Sequence, residues 1–406
     1  MTRALWVSDE PPDRRLGGGN IRQAHLAEAL ARRAEVHLLL AGRLGDSASL
    51  SSFASVTEVD PVGREVFPQV GKTRQRVRVL WHTLAHQSPS DVRENGPNRR
   101  GLAVRLADTS GFDLVHVEHY HLGPLLPPGR SNQWSLTFQQ LESRRAEQEL
   151  ALAAGRRQRW AVTTERDKAR RLETQMATDF DIVLASSEDD ARALPPGVQV
   201  VPNGVDVAEY TPTPLPQEPR LLLGGTLHYK PNVYGAQWFC REVWPRVLAK
   251  VPGATLDIVG RGATPEVDAL TANPGVSVHS DVPRMRPYIE AARVALVPLQ
   301  IGSGTRIKAL EAMASGRPVV GTAIGLEGLG IEPGRHAAVA DNPERMAAAI
   351  VRLLGDDEAA RRMAGEGREL VERSFSWDPI GQRFADILLN GARSAGRDRS
   401  RLGPSA

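Results

Sequence analysis

The chain has 406 residues, 41% of them hydrophobic and 24% charged, with a formal charge of +3. That length allows two domains, and the charge is too mild for a nucleic-acid-binding tail. A single cysteine, Cys240, excludes a disulfide framework or a thiolate metal site within the chain. The opening MTRALWVSDEPPDRR lacks the apolar core of a signal peptide, and no run of about eighteen apolar residues follows, so a cytoplasmic protein is expected.

Residues 4–8 read as a first strand, ended by the breakers Asp9, Glu10, Pro11 and Pro12. Leu16-Gly17-Gly18-Gly19 then reads as a glycine loop, and Asn20 is placed to cap a helix with Gln23 in the answering position. Ile21, Ala24, Ala27, Leu30 and Ala31 give that helix one apolar face, and residues 36–40 make the next strand. This is a Rossmann-like opening, but LGGGN lacks the G-x-G-x-x-G spacing of a dinucleotide fingerprint, which disfavours NAD. Residues 43–110 are the most basic region, with Arg74, Arg76, Arg78, Arg99, Arg100 and Arg105 interleaved with Val77, Val79, Leu80 and Trp81. A solvated helix face accounts for them; a face for an anionic membrane surface or for an acceptor is the alternative.

Residues 112–117 form a clear strand whose carboxyl end delivers Glu118, His119, Tyr120 and His121 to the edge where doubly wound sheets keep their ligands. His116 reads as a strand or core residue. The spacing of the three histidines and the lack of a further ligand cluster argue against a metal site there. Strands over 134–138 and 182–186 flank a long polar-amphipathic helical region. Asp179-Phe180-Asp181 is a D-x-D, a pattern that can hold a divalent metal under a diphosphate. Here it precedes a strand, at the amino edge of the sheet and away from ligands, so no metal is expected on it. Pro202-Asn203-Gly204 marks a turn, and residues 212–219 make a proline-rich linker.

Beyond the linker, strands fit at 221–223, 255–259, 276–279, 294–297 and 319–321. Helices fit between them, such as 233–250 and 285–292, which argues for a parallel sheet wound on both faces. Gly225 and Lys230 lie in the loop after the first of these strands. The most informative stretch is residues 302–327, GSGTRIKALEAMASGRPVVGTAIGLE. Gly302 and Gly304 flank Ser303, so the backbone can turn sharply. A helix pattern starts at Thr305, with Ile307, Leu310 and Ala314 on one stripe, and Gly316 and Pro318 end it. A helix N-terminus at the carboxyl edge of such a sheet suits a phosphate, and Arg306 and Lys308 add charge beside it. Glu311, one turn on, is placed to hold a ribose diol. A surface Lys308–Glu311 pair at i,i+3 is the plainer alternative. Two more helices follow residue 341, and the polar, glycine-containing tail 391–406 is expected to be disordered.

GTRIKALEAMASGRPVVGT resembles the C-terminal signature of the family 4 retaining glycosyltransferases (glycosyl transferases group 1). Leu310-Glu311-Ala312-Met313-Ala314, Gly316 and Pro318-Val319-Val320 match it throughout. The likeness is strongest over 200–375, moderate over 1–42 and 112–200, and weak between. It implies an α/β protein of GT-B fold, two Rossmann-like doubly wound domains facing across a cleft. An acceptor-binding domain would span 1–205 and a nucleotide-sugar-binding domain 206–375, with a helix over 376–390 crossing back to the first. The implied reaction moves a sugar from a UDP- or GDP-linked donor to an acceptor hydroxyl with retention of anomeric configuration. The nucleotide-sugar is a co-substrate, and neither a cofactor nor a metal is implied. The acceptor stays open between a lipid-linked sugar, a polysaccharide and a small natural product. No nucleic-acid partner is implied, and a weak peripheral association with the inner face of a membrane is compatible.

Residue by residue, the resemblance places the donor against Gly18 and Gly19, Gly225 and Lys230, and Gly304, Thr305, Arg306, Lys308 and Glu311. Members of the family carry a donor-sugar histidine in an H-x-H pattern after the strand. Here the pattern reads His116-Val117-Glu118, so His119 is ranked first for that role and Glu118 second. Thr226 stands where the family has an arginine, which leaves Lys230 alone in its loop. The first glutamate of the family's E-x7-E pair would fall at Ser303, so Ser303 and the amides of Gly304 and Thr305 are the candidates for gripping the sugar hydroxyls. The segments Glu142-Ser143-Arg144-Arg145 and Arg171-Leu172-Glu173 resemble supports of the N-terminal domain. A sugar-nucleotide epimerase on the same fold, an NAD-dependent oxidoreductase and a non-catalytic nucleotide-sugar-binding subunit are the rival readings.

Overall fold

The computed structural model describes residues 1–14, 16–41, 50–59, 89, 99–125, 132–153, 155–304 and 306–401. Arg74, Arg76, Arg78, Val77, Val79, Leu80, Trp81 and Thr305 therefore lie outside the described residues. Two compact units emerge, Met1–Pro202 with Asp378–Ala406, and Asn203–Trp377.

The first unit is built on parallel strands: β1 (Arg3–Ser8), β2 (Glu35–Leu40), β3 (Ser55–Glu58), β4 (Leu114–Glu118), β5 (Gln133–Phe138), β6 (Ile182–Ala185) and β7 (Gln199–Val200). Their order is β3-β2-β1-β4-β5-β6-β7. The inner strands are buried on both faces, which is why they read as continuous apolar runs with little alternation. Leu5, Val7, Leu39, Val115, Val117, Leu136 and Phe138 form the centre of its core.

Helix α1 (Gly18–Ala31) corrects the expected cap. Gly17 is the N-cap, in extended backbone and without a side-chain cap, and Asn20 lies inside the first turn. The Asn20 amide is drawn off to donate to the Pro11 carbonyl at 2.8 Å. Gly18 and Gly19 thus form the first helical turn and not a loop. Gly19 approaches Gln139 so closely that a Cβ would sit 2.5 Å from its Oε1.

Helices α2 (Arg99–Leu106), α3 (Glu142–Leu152) and α4 (Arg156–Asp179) belong to this unit, as does the short helix Glu188–Ala193. The two supporting segments do meet: the Ser143 amide donates to Glu173 Oε1 at 3.1 Å and its hydroxyl to the other oxygen, while Arg144 pairs with Asp190 at 2.7 Å. Asp181 of the D-x-D accepts the Trp134 amide at 2.8 Å, at the amino edge of β5.

In the second unit the strands are β8 (Arg220–Thr226), β9 (Thr255–Arg261), β10 (Val276–Ser280), β11 (Val294–Val297), β12 (Val319–Gly321) and β13 (Ala338–Val339), all parallel, in the order β10-β9-β8-β11-β12-β13. The helix expected over 233–250 begins earlier, as α5 (Lys230–Trp238). It then passes through a π-turn, Phe239–Val243, into Trp244–Leu248. Pro245 has no N–H to continue the ladder, and the wide turn absorbs the gap. Phe239, Val243 and Trp244 pack on Leu221, Leu223, Ile258 and Leu296. Helix α6 (Ile307–Ala314) buries Ala309, Leu310 and Met313 against Leu370 and Val371 of α8 (Asp357–Ser374), with α7 (Pro343–Gly355) preceding it.

The last helix, α9 (Trp377–Arg401), buries Ile380, Phe384 and Leu388 on one stripe, with the Phe384 ring 5.8 Å from Trp6 and 5.2 Å from His116. It runs on through most of the stretch expected to be disordered. Ala392, Arg393, Ala395 and Arg397 are strong helix formers, and Gly396 alone does not stop the helix. Residues 402–406 lie outside the described residues.

Candidate functional site

Strand β8 stands between β9 and β11, so the chain leaves it toward one side of the sheet and leaves β11 toward the other. The crevice between those two exits, at the carboxyl edge, is where an open α/β sheet binds its ligand. The loops that meet there are 224–230 and 298–306. Close packing sets their distance, since a Cβ on Gly235 of α5 would lie 2.8 Å from the Pro298 carbonyl oxygen. Lys308, in the first turn of α6, spans the crevice: its Nζ donates to Asn232 Oδ1 at 2.5 Å, and Asn232 Nδ2 donates to the Thr226 carbonyl at 2.8 Å. Gly225 lies directly beneath, with φ +142°, and a Cβ there would lie 2.8 Å from Asn232 Nδ2 and 2.9 Å from Lys308 Nζ. Only glycine fits both the conformation and the space.

Glu311 Oε1 accepts from the Tyr210 hydroxyl at 3.1 Å. Lys308 and Glu311 do not pair with each other among the described residues, so the surface-pair alternative falls away: Lys308 turns to Asn232 in the first turn of α5, and Glu311 to Tyr210. Burial pushes the Glu311 carboxyl up to about 7, against the pull of the Tyr210 hydrogen bond and of Lys308. Burial and the nearby Arg306 bring the Lys308 ammonium down to about 7. The pair therefore changes charge close to neutrality, as groups held ready for a charged ligand do.

Arg306 differs from its expected role. It is 8% exposed, and its guanidinium donates to the Ser303 carbonyl at 2.5 Å and to the Ile324 carbonyl at 3.3 Å. It braces the turn from within instead of reaching for a phosphate. Ser303 is buried in the same turn, whose tightness rests on Gly304 at φ +79°. Lys230, at the first position of α5, is exposed, with its ammonium 5.6 Å from the Tyr234 ring centre. Asn232 and Tyr210 are the residues that sequence reasoning missed. Asn232 lies just past the loop that carries Gly225 and Lys230, in the first turn of α5; nothing local marks Tyr210, 101 residues from Glu311.

The first unit has its own switch point, between β1 and β4. There the neighbours Glu118 and His119 part. Glu118 is fully buried, with Oε2 2.9 Å from His116 Nε2, Oε1 accepting from Gln139 at 2.9 Å, and the buried Arg22 3.8 Å away. Burial opposes its charge, yet His116 and Arg22 hold its carboxyl below the usual range. The candidacy of Glu118 as a substrate-facing group is corrected: it is the centre of a buried ionic network.

His119 turns the other way, with φ +84°, and its Nδ1 lies 2.7 Å from Asp9 Oδ1; His121 Nε2 lies 2.7 Å from Asp9 Oδ2. Burial alone would lower the His119 pKa, but the charge and hydrogen bond of Asp9, with Glu10 and Glu118 behind, push it up to about 9. The expected lack of a further ligand near these histidines does not hold, because β1 delivers Asp9.

Residues 218–356, which contain Gly225, Asn232, Lys308 and Glu311, match the family model described as Glycosyl transferases group 1. The second unit carries a group 1 glycosyl transferase domain. Among curated relatives, the D-inositol 3-phosphate glycosyltransferase of Corynebacterium efficiens is 28% identical over 247 residues, 52% of this chain and 57% of that one. The GDP-mannose-dependent alpha-(1-6)-phosphatidylinositol monomannoside mannosyltransferase of Mycobacterium tuberculosis is 29% identical over 159 residues, 36% and 41% of the two chains. The chain thus spans about half the length of the curated relatives it matches. The likeness in fold spans nearly the whole chain: the sucrose-phosphate synthase of Thermosynechococcus elongatus superposes with a TM-score of 0.70 over 97% of this chain and 100% of that one, at 18% identity. The fold is GT-B.

Proposed function

We propose that the protein is a glycosyltransferase that moves a sugar from a UDP- or GDP-linked donor to an acceptor hydroxyl, with retention and without a metal. One observation carries this reading: Lys308 bridges to Asn232 over Gly225, at the switch point of a sheet that belongs to a glycosyl transferase family. Lys308 supplies a cation for the diphosphate, the N-terminus of α6 adds its amides, and Lys230 stands exposed at the rim. These fixed positive groups take the charge that a metal would otherwise meet. Glu311, with one oxygen engaged by Tyr210, offers the other to the ribose. Retention rests on the family resemblance. On the other unit His119, which Asp9 holds charged at neutral pH, is the residue that the family resemblance assigns to the donor sugar.

A lipid-linked acceptor is favoured by the adjoining ends of α3 and α4. Leu152 and Trp160 are 49% and 41% exposed there, beside the exposed Arg156, Arg157 and Arg159. Apolar anchors set among arginines suit an anionic membrane surface. The relative named for a phosphatidylinositol mannoside agrees with such an acceptor.

The test is turnover with UDP-glucose and GDP-mannose in excess EDTA, followed by NMR of the product's anomeric centre. Release of nucleoside diphosphate with a retained linkage is expected. Epimerised donor without release would replace this reading with the epimerase, and loss of transfer on chelation would remove its charge assignment.

A further inference from the structure

Outside the donor crevice, the Asp9, His119 and His121 cluster has a composition that sugar transfer does not require. We propose that these three side chains bind a divalent transition-metal ion of the zinc class, and that its binding inhibits the protein.

The sequence brings them together through strand pairing. Strands β1 and β4 are parallel neighbours with Val7 opposite Val117, so Asp9 and the residues after Glu118 leave the sheet side by side, although 110 and 112 positions separate them. The donor set is two imidazole nitrogens and a carboxylate, the composition of a three-ligand zinc site that keeps one position open. Their ligand atoms lie within 4.8 Å of one another, the one such group among the described residues. The two rings are nearly parallel, 27° apart with centres separated by 5.3 Å, and both present a nitrogen to the same carboxylate. With metal–ligand bonds of about 2.0–2.1 Å, a tetrahedral ion needs donor atoms about 3.3 Å apart. The two histidine–carboxylate separations are 2.7 Å, one to each Asp9 oxygen, and the three ligand atoms lie within 4.8 Å of one another, so side-chain shifts on the order of 1 Å bring them to that spacing.

Access and rigidity also fit. The three side chains are 11–14% exposed, reachable yet largely shielded from water. His119 holds a left-handed backbone that a non-glycine residue adopts at a cost, and that conformation turns its ring toward Asp9. Without a metal, both histidines hydrogen-bond to Asp9, so the cluster is satisfied and turnover does not depend on the ion. Once ligated, His119 is withdrawn from the sugar. The inhibitory half therefore rests on the function proposed above; the binding half does not.

The experiment titrates EDTA-stripped protein with zinc chloride alone by calorimetry, and with cobalt chloride by visible absorption. One ion per chain is expected, with absorption bands of low-coordinate cobalt. Asp9→Ala and His121→Ala should each weaken binding about tenfold or more. His279→Ala, which removes the separate His279–Asp257 pair at 3.0 Å, should leave it unchanged. No binding up to millimolar zinc, or binding that persists in both cluster variants, would overturn the site. Should either variant fail to fold, the cobalt spectrum of the intact protein decides alone, and the absence of those bands counts against the proposal. Saturating zinc should lower turnover about tenfold or more, with recovery on adding EDTA. Binding without inhibition overturns the second half. A stripped protein with no turnover at all speaks against the proposed function and leaves the zinc titration readable.

Discussion

Glu118 and His119 are adjacent in sequence and opposite in use, and the difference was not legible locally. Strand geometry turns successive side chains to opposite faces, but which face holds Arg22 and which holds Asp9 is fixed by elements about a hundred residues away. Removing one partner of a buried ionic network leaves an uncompensated charge, so Glu118→Ala should cost about 3–5 kcal/mol in a urea unfolding curve of the first unit. A variant of full stability but no activity would return Glu118 to the active site. At Lys308 the sign of the pH effect follows from its pKa of about 7. The ammonium is charged below that value and neutral above it, so affinity for UDP-glucose, whose phosphates do not titrate there, should fall as pH rises through 7. The limiting slope is about tenfold per unit, and Lys308→Arg should abolish it. Glu311 titrates in the same window, so the series belongs in a Glu311→Gln background; a slope that survives in Lys308→Arg would assign it elsewhere.

At the scale of elements, the sequence was most readable where a run was long and apolar. The strands around Val115, Leu136 and Leu296 were placed within a residue or two because burial on both faces leaves no polar position to confuse them. β3, β7 and β13 went unread: SVTE carries one apolar residue, and the other two strands have two residues each. Glycine usually breaks helices, so the run reads as a loop, yet it opens α1, where a Cβ on Gly19 would displace the end of the Gln139 side chain. The exposed end of α4, the membrane face proposed above, is not marked by the sequence pattern alone. Basic residues in a first helical turn oppose the helix dipole, and three arginines there, with no acidic residue in that turn, suit the anionic surface proposed above. Trp160→Ser with Arg156→Glu should abolish sedimentation with phosphatidylglycerol vesicles and leave transfer to a soluble acceptor unchanged. Equal sedimentation of both proteins would detach this element from any membrane.

For the molecule as a whole, the family signature and the proposed nucleotide crevice lie in one unit, and the histidine cluster in the other. Each unit closes its own core around its own sheet, the first on Leu136 and Phe138 and the second on Leu221 and Phe239. Such cores melt as separate cooperative units unless something couples them. Nucleoside diphosphate bound only by Lys308, Glu311 and their neighbours should therefore raise one calorimetric transition selectively. At a ligand concentration a hundred times Kd the linkage contributes about 2.7 kcal/mol. For a unit of this size that is roughly 5–10 °C. Lys308→Ala identifies the transition, because it should remove the shift without moving the unliganded midpoint by more than a degree or two. A shift that persists in Lys308→Ala, or that appears only in the transition lowered by Glu118→Ala, would place the nucleotide on the first unit and undo the assignment of the crevice between β8 and β11.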